Sequence, residues 1–400
     1  MAMRNALNGI AIAALAALAG CASTPEPVKP PSPIVSPPPV PEVQSAAFSS
    51  LERGPPVGSL PISAADANAA LAAFVGSCSW ATLKDDKSGL TRPGDWPAAC
   101  DAAHNARHDG GADFFAEYFE TVRIGNGEAF ITGYFEPELR GSRIRLPGYD
   151  VPVYSMPDDL VRAWPDNMAE SERTGRPPLG RYDQSGAFVP YWDREAIELG
   201  ALAGRGLEIA WAADAIEFFF LQIQGSGLLR LPDNTLMRIG YAGQNGRGYT
   251  AIGRTLKDRG EIGEGTPYAT SMQGIVDWLR ANPDEANAVM RENQSWIFFR
   301  ELASDGPLGS LGVPVRARDS VAVDPRFVPY GAPVFLDMDE DEADGLWVAQ
   351  DTGGAIKGAN RFDTFWGNGP DARRIAGELS IGGKALILLP KGTVERLLNR

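Results

Sequence analysis

WVAQDTGGAIKGANRFDTFWG, residues Trp347–Gly367, is the stretch on which the fold turns. It begins inside a short apolar run, Leu346–Ala349, that reads as a buried strand because it is β-prone and stops abruptly at a polar, glycine-rich bend. Asp351 closes that strand. Gly353, Gly354 and Gly358 then make a bend where backbone or ligand can come close, with Lys357 inside it. The chain returns through Arg361 and Phe362 to Asp363, which Thr364, Phe365 and Trp366 follow. Upstream, the apolar run Ser320–Val323 ends in a third aspartate, Asp324, just before Pro325. An aspartate before glycine or proline is commonly a turn former that bonds nearby N–H groups. Three at strand ends, one of them flanked by arginine and aromatic rings, predict instead that they converge on one functional region.

Around this stretch lie 400 residues, 44% of them hydrophobic, enough for two domains or one large one. The formal net charge is −14 and no Lys/Arg cluster offsets it, so a nucleic-acid partner is not expected. The two histidines, His104 and His108, are four apart but lack the glutamate of a zinc-binding HExxH motif, and they read as a solvated helix face. Neither a metal site nor a cofactor is expected. GRGYTA at Gly246 matches only the tail of a dinucleotide fingerprint, and neither a GxSxG elbow nor a GxxxxGK[ST] loop occurs. Carboxylates remain as the candidate catalytic groups.

Residues 1–20 combine one positive charge, Arg4, with an apolar stretch from Ile10 to Leu18, and read as a signal peptide too short to span a membrane. The LAGC that ends at Cys21 resembles a bacterial lipobox, which implies an acylated Cys21, a lipoprotein held at the outer membrane and a periplasmic body. Pro25–Pro41 is a polyproline spacer of about 3.1 Å per residue, and residues 21–62 together form a lipid-anchored, proline-rich linker. In an oxidising compartment Cys78 and Cys100 are candidates for a disulfide, the alternative being two buried thiols.

From Ser63 a capped helical pattern begins, and 96–108 and 112–122 also read as helical. At Glu128 the period changes to alternation, EAFITGYFEPELRG, a strand broken at Pro137. Short apolar runs follow, among them Ile216–Ile223, spaced as in an all-β barrel or sandwich, and then three helices near 250–259, 270–280 and 284–292. SWIFFRE, from Ser295, opens a second β-rich region. Pattern alone leaves open whether the strand at Glu128 belongs to the middle or to the carboxyl-terminal body. Read as a strand, 216–223 puts Gln222 and Gln224 on one face, beside Gly225, Ser226 and Gly227. Tyr241, Gln244, Asn245, Arg247 and Tyr249 add rings and polar groups. Such a set suits a sugar, which needs hydrogen bonds for its hydroxyls and an apolar plate for its C–H face, though glycine-rich turns with solvated tips have the same composition.

GYFEPELRGS (133–142), QGSG (224–227), YAGQNGRGY (241–249), NQSWIFF (293–299) and the pair AQDTGGAIKG and RFDTFWG resemble the membrane-bound lytic murein transglycosylase A family with its three-aspartate domain. The resemblance runs from about Ser63 to Pro390. It implies a β-rich α+β chain: a double-psi β-barrel with a helical layer from 63–137 and 284–400, and an inserted β domain, 138–283, forming the other wall of a glycan groove. The strand at Glu128 then joins the barrel. The implied activity is cleavage of the MurNAc–GlcNAc β-1,4 bond of peptidoglycan with formation of 1,6-anhydro-MurNAc. Asp363 matches the catalytic aspartate, Asp351 its neighbour and Asp324 a supporting residue. Gln224, Gly225, Ser226, Gly227, Tyr241, Asn245, Gly353, Gly354 and Lys357 are the expected sugar-binding set. The expected partners are glycan strands, the outer membrane and cell-wall enzyme complexes, for a chain that is itself a monomer. The competing readings are a hydrolytic muramidase and a non-catalytic peptidoglycan-binding lipoprotein.

Overall fold

The structure, a computed structural model, describes residues 45–83, 85–304 and 306–399. The signal peptide, Cys21 and the proline-rich spacer lie outside the described residues.

An eight-stranded sheet runs in the order Leu51–Arg53, Phe119–Ile124, Ser380–Pro390, Pro333–Met338, Gly345–Asp351, Ser320–Ala322, Arg361–Asn368 and Glu128–Glu136. Glu128–Glu136 then pairs back onto Ser380–Pro390, so six of the eight strands close into a barrel. Closure is possible because Ser380–Pro390 is eleven residues long and serves three neighbours at successive positions. The strand at Glu128 is therefore a barrel strand, parallel to Arg361–Asn368. Val321, Val348, Ala349, Ile131 and Phe362 on the barrel's strands are fully buried.

Three helices, Ala64–Ala81, Pro97–Asn105 and Gly111–Tyr118, cover one side of the barrel. The Ser63 hydroxyl caps the first by accepting from the Asp66 N–H. Phe74, Trp96, Phe114 and Phe119 pack together beneath the layer, and Cys78 and Cys100 are joined across the first two helices. Gln350 ties helix to barrel: its amide donates to Ala73 O at 2.9 Å and Ser77 Oγ at 3.0 Å and accepts from Ser320 Oγ at 2.5 Å. The helix expected over 112–122 stops at Tyr118, and Phe119–Ile124 is a strand, consistent with its run of β-branched and aromatic residues.

A second sheet takes six strands in the order Ile297–Glu301, Leu236–Gln244, Ser226–Arg230, Glu138–Ser142, Glu208–Ala212 and Val151–Tyr154. A three-stranded sheet, Val161–Arg162, Leu179–Tyr182 and Phe188–Pro190, lies beyond it. The run expected as a strand at 216–223 is the helix Ala215–Gln224. The Asp214 carboxylate caps it by accepting from the Ile216 and Glu217 N–H groups, and Gly225 ends it in the left-handed region at φ 80°. Gln222 and Gln224 therefore do not share a face by strand alternation. SWIFFRE was expected with the barrel, yet Ile297–Glu301 hydrogen bonds along Leu236–Gln244 in the second sheet. At the junction of the two sheets, buried Glu136 takes bonds of 2.8 and 3.2 Å from Arg238.

Candidate active site

The barrel places its aspartates by register. Ala322 pairs with Asp351 on one side and Asp363 on the other, and Asp363 pairs in turn with Thr132. Two strand spacings, about 10 Å of backbone, separate the two acidic positions. Both carboxylates line a cleft of about 820 Å³ between the barrel and the second sheet.

Asp363 is half-buried, and one of its oxygens is held: Thr132 Oγ1 donates to Oδ1 at 2.5 Å. Arg361 Nη2 donates to that same Thr132 oxygen at 2.9 Å. A guanidinium can only donate, so it occupies the threonine's lone pair and leaves the hydroxyl proton aimed at Asp363. No partner for Oδ2 occurs among the described residues. Burial pushes the Asp363 carboxyl up to about 6, the Asp351 charge adding to the rise while the Thr132 bond and the Arg361 charge oppose it. Lys357 does not enter that balance: its ammonium turns back to Gly353 O at 3.2 Å.

Asp351 is held at both oxygens. Its Oδ1 accepts from the Ser310 N–H at 2.8 Å, the Ser310 hydroxyl at 2.7 Å and the Thr352 N–H at 2.8 Å, and Oδ2 accepts from Tyr134 OH at 3.1 Å. Burial raises its pKa, and these donors pull the other way. Burial and the two aspartates push Tyr134 well above the usual phenol value, so it stays a neutral donor. Phe365, two residues past Asp363, packs on the Tyr134 ring, with centroids 5.0 Å apart. Trp366 faces the barrel core and stacks edge-on with Trp347.

Asp324 is buried outside the cleft. Burial pushes its pKa up, but the Arg326 guanidinium at 2.8 Å and the Gly358 N–H at 2.8 Å outweigh that and hold it low. It pins the bend at 353–358 to the turn at 324–328.

Gln224, Gly225, Ser226, Tyr241, Gly353, Gly354 and Lys357 all line the cleft. The structure does not bring Gly227 or Asn245 there. A Cβ at Gly227 would meet Leu221 Cδ1 at 2.3 Å, so this glycine permits helix and strand to pack. Asn245 is fully buried, donating to Trp192 O and Gln294 O at 2.9 Å each and accepting from Trp296 N at 3.0 Å. It braces loops rather than facing a ligand. Sequence reasoning missed Thr132 and Ser310, which carry no local signal. Tyr134 stood within the quoted GYFEP motif without being singled out.

A closed barrel interrupted by a second sheet, with two half-buried carboxylates in the cleft between them, defines the class. Residues 130–300 match the family described as the MltA specific insert domain, and residues 319–389 match the 3D domain. A membrane-bound lytic murein transglycosylase from Agrobacterium tumefaciens has a crystal structure that superposes with a TM-score of 0.77 at 32% identity, covering 87% of this chain and 99% of that one. MltA from Neisseria gonorrhoeae gives a TM-score of 0.70 at 33% identity, covering 86% and 93%. Membrane-bound lytic murein transglycosylase A of Vibrio cholerae is 32% identical over 270 residues. That match spans 64% of this chain and 64% of the relative, under two thirds of its length. The chain belongs to the membrane-bound lytic murein transglycosylase A family.

Proposed function

We propose that the protein is a lytic transglycosylase that cleaves the MurNAc–GlcNAc β-1,4 bond of peptidoglycan, with Asp363 as acid and then base. The observation that carries this reading is the unequal state of the two cleft carboxylates. Asp363 has a pKa near 6 and a free oxygen, while Asp351 has donors on both oxygens. Protonated Asp363 gives its proton to the glycosidic oxygen as the C1–O bond breaks. The C6 hydroxyl of the same MurNAc then attacks C1 and returns its proton to Asp363, which closes the anhydro ring. No water is consumed. A hydrolase would need a second carboxylate free to activate water or attack C1, and Asp351 is fully engaged as an acceptor. Its role is to fix the Ser310 loop and Tyr134 and to keep negative charge near Asp363. Gln224, Ser226, Tyr241 and the glycines at 225, 353 and 354 line the path for the sugars.

The domain division that fits the pairing is a barrel from 63–137 and 302–399 with 138–301 inserted, the later boundary set by where Ile297–Glu301 pairs. Relatives named membrane-bound and the lipobox-like LAGC support a cell-envelope protein, anchored through Cys21 to the outer membrane and able to join cell-wall enzyme complexes. Among the described residues no helix is long and apolar enough to cross a membrane. The test is digestion of purified sacculi, with mass spectrometry of the soluble products. Anhydro ends, one water lighter than reducing ends, are expected from the native protein and not from Asp363→Asn. Reducing ends would identify a hydrolase, equal release by protein and variant would place the acid elsewhere, and no release by the native protein would leave only a binding role.

A further inference from the structure

The wall opposite Asp363 carries a positive edge with no acidic partner. Arg300 lies on the strand Ile297–Glu301 directly across from Gly240, is exposed, and lines the cleft. Tyr241, next along the facing strand, also lines the cleft and is 50% exposed. Arg162, exposed on the hairpin 161–182, is near enough for its charge to act on Tyr241 and to be acted on by that of Arg176. The hairpin that presents Arg162 is fixed in place. Arg162 donates to Pro177 O at 2.7 Å and pairs in register with Leu179, which packs so closely on Gly246 that a Cβ there would come within 2.6 Å of it.

Among the described residues Arg162, Arg176 and Arg300 have no carboxylate at ion-pair distance, although acids outnumber bases 51 to 37 in the chain. Three acids close in sequence to Arg300 and Arg162 are engaged elsewhere. Glu301 is clasped by Arg143 at 2.9 and 2.5 Å, and Asp158 and Asp159 are held by Arg205 at 3.1 and 2.8 Å. The carboxylates that line the cleft are Asp351 and Asp363, both on the barrel side. Exposed, unpaired guanidinium groups beside a tyrosine suit an incoming carboxylate, which they bind through paired N–H donors.

Building on the proposed lytic activity, we infer that Arg300, at the cleft, and Arg162, on the neighbouring hairpin, form a subsite for a carboxylate of the stem peptide carried by MurNAc. In a stem-bearing strand the lactyl carboxyl is tied up as an amide, so the free carboxylates lie on the stem, and this edge distinguishes them from the lactyl carboxylates of bare strands.

The test compares three substrates: native sacculi, sacculi whose stem carboxylates have been converted to carboxamides, and strands stripped of stems, which keep only the lactyl carboxylate. Turnover and co-sedimentation are measured for the native protein, for Arg162→Gln with Arg300→Gln, and for the matching double lysine variant. Amidation is expected to lower kcat/KM and sedimentation of the native protein about tenfold. For the glutamine variant the ratio of native to amidated substrate falls to near one, and lysine restores part of it. If the native protein binds native and amidated sacculi equally, the subsite is overturned. It is also overturned if stripped strands match native sacculi, since the lactyl group would then be the anion read. Complete absence of anhydro product ends the catalytic reading instead, and sedimentation still decides this one.

Discussion

On the barrel side of the cleft, Asp363 keeps one oxygen unbonded and a pKa near 6, whereas on the second-sheet side the buried Arg194 and Asn245 are held by several hydrogen bonds each. Arg194, buried between the Phe219 and Trp296 rings, donates to Asn293 O at 2.8 Å, Gln222 Oε1 at 2.7 Å and Ser295 O at 2.7 Å. Asn245 bonds four backbone groups across three loops. One wall leaves a titratable group incompletely satisfied, which is costly in stability and useful for proton transfer. The other ties down Arg194 and Asn245, which brace its loops, and gains a fixed shape.

The largest effect that tests this contrast is loss of the proton donor. Asp363→Asn keeps the shape and is expected to lower peptidoglycan turnover about 10³-fold while leaving sedimentation with sacculi intact. Activity within tenfold of native would mean that the acid lies elsewhere. On the opposite wall, Arg194→Met strips three hydrogen bonds and leaves buried carbonyls bare, so it should cost about 3 kcal/mol of stability in denaturant unfolding. A loss under about 1 kcal/mol would show that this wall does not depend on its arginine.

The barrel wall should respond to pH in the opposite sense. Asp363 titrates near 6 when folded and near 3.9 when unfolded, so between these values the folded chain binds more protons. Its contribution to stability is full below about pH 4 and is lost as pH rises through the folded value. Asp363→Asn should therefore be more stable than the native protein by about 2 kcal/mol near pH 8 and no more stable near pH 4, read by urea unfolding at both. Turnover by the native protein should likewise decline above about pH 6, where the acid form is depleted. The smallest effect is expected from Ser310→Ala, which removes one of the hydroxyl bonds to Asp351. About 1 kcal/mol, or a roughly fivefold slower turnover with unchanged sedimentation, would mark Asp351 as a positioning group. No change would leave that role to Tyr134.

Asp351 was legible in the sequence as a candidate because an acid at the end of an apolar strand, beside glycines, is a local pattern. Asp363, expected at a strand end, lies third in Arg361–Asn368 and stood out by its arginine and aromatic neighbours. The barrel's closure, by contrast, followed from the family resemblance and not from periodicity. The helix Ala215–Gln224 was misread because IEFFFLQI is apolar nearly all round, so its period is mute, yet Asp214 before it and Gly225 after it were the cap signals. Asn245 looked like a sugar ligand because a buried loop brace and an exposed polar tip have the same composition. Thr132 was out of reach for another reason: it stands 231 positions from the carboxylate it bonds, and only strand register joins them.

That separation bears on when the enzyme becomes competent. Glu128–Glu136 and Arg361–Asn368 meet only after the whole intervening chain has folded and returned, a slow, non-local step. Before the two strands meet, Asp363 is an ordinary solvated acid, ionised at neutral pH and with no proton to give. Closing the barrel is therefore what raises the pKa of this carboxyl and arms it with a proton.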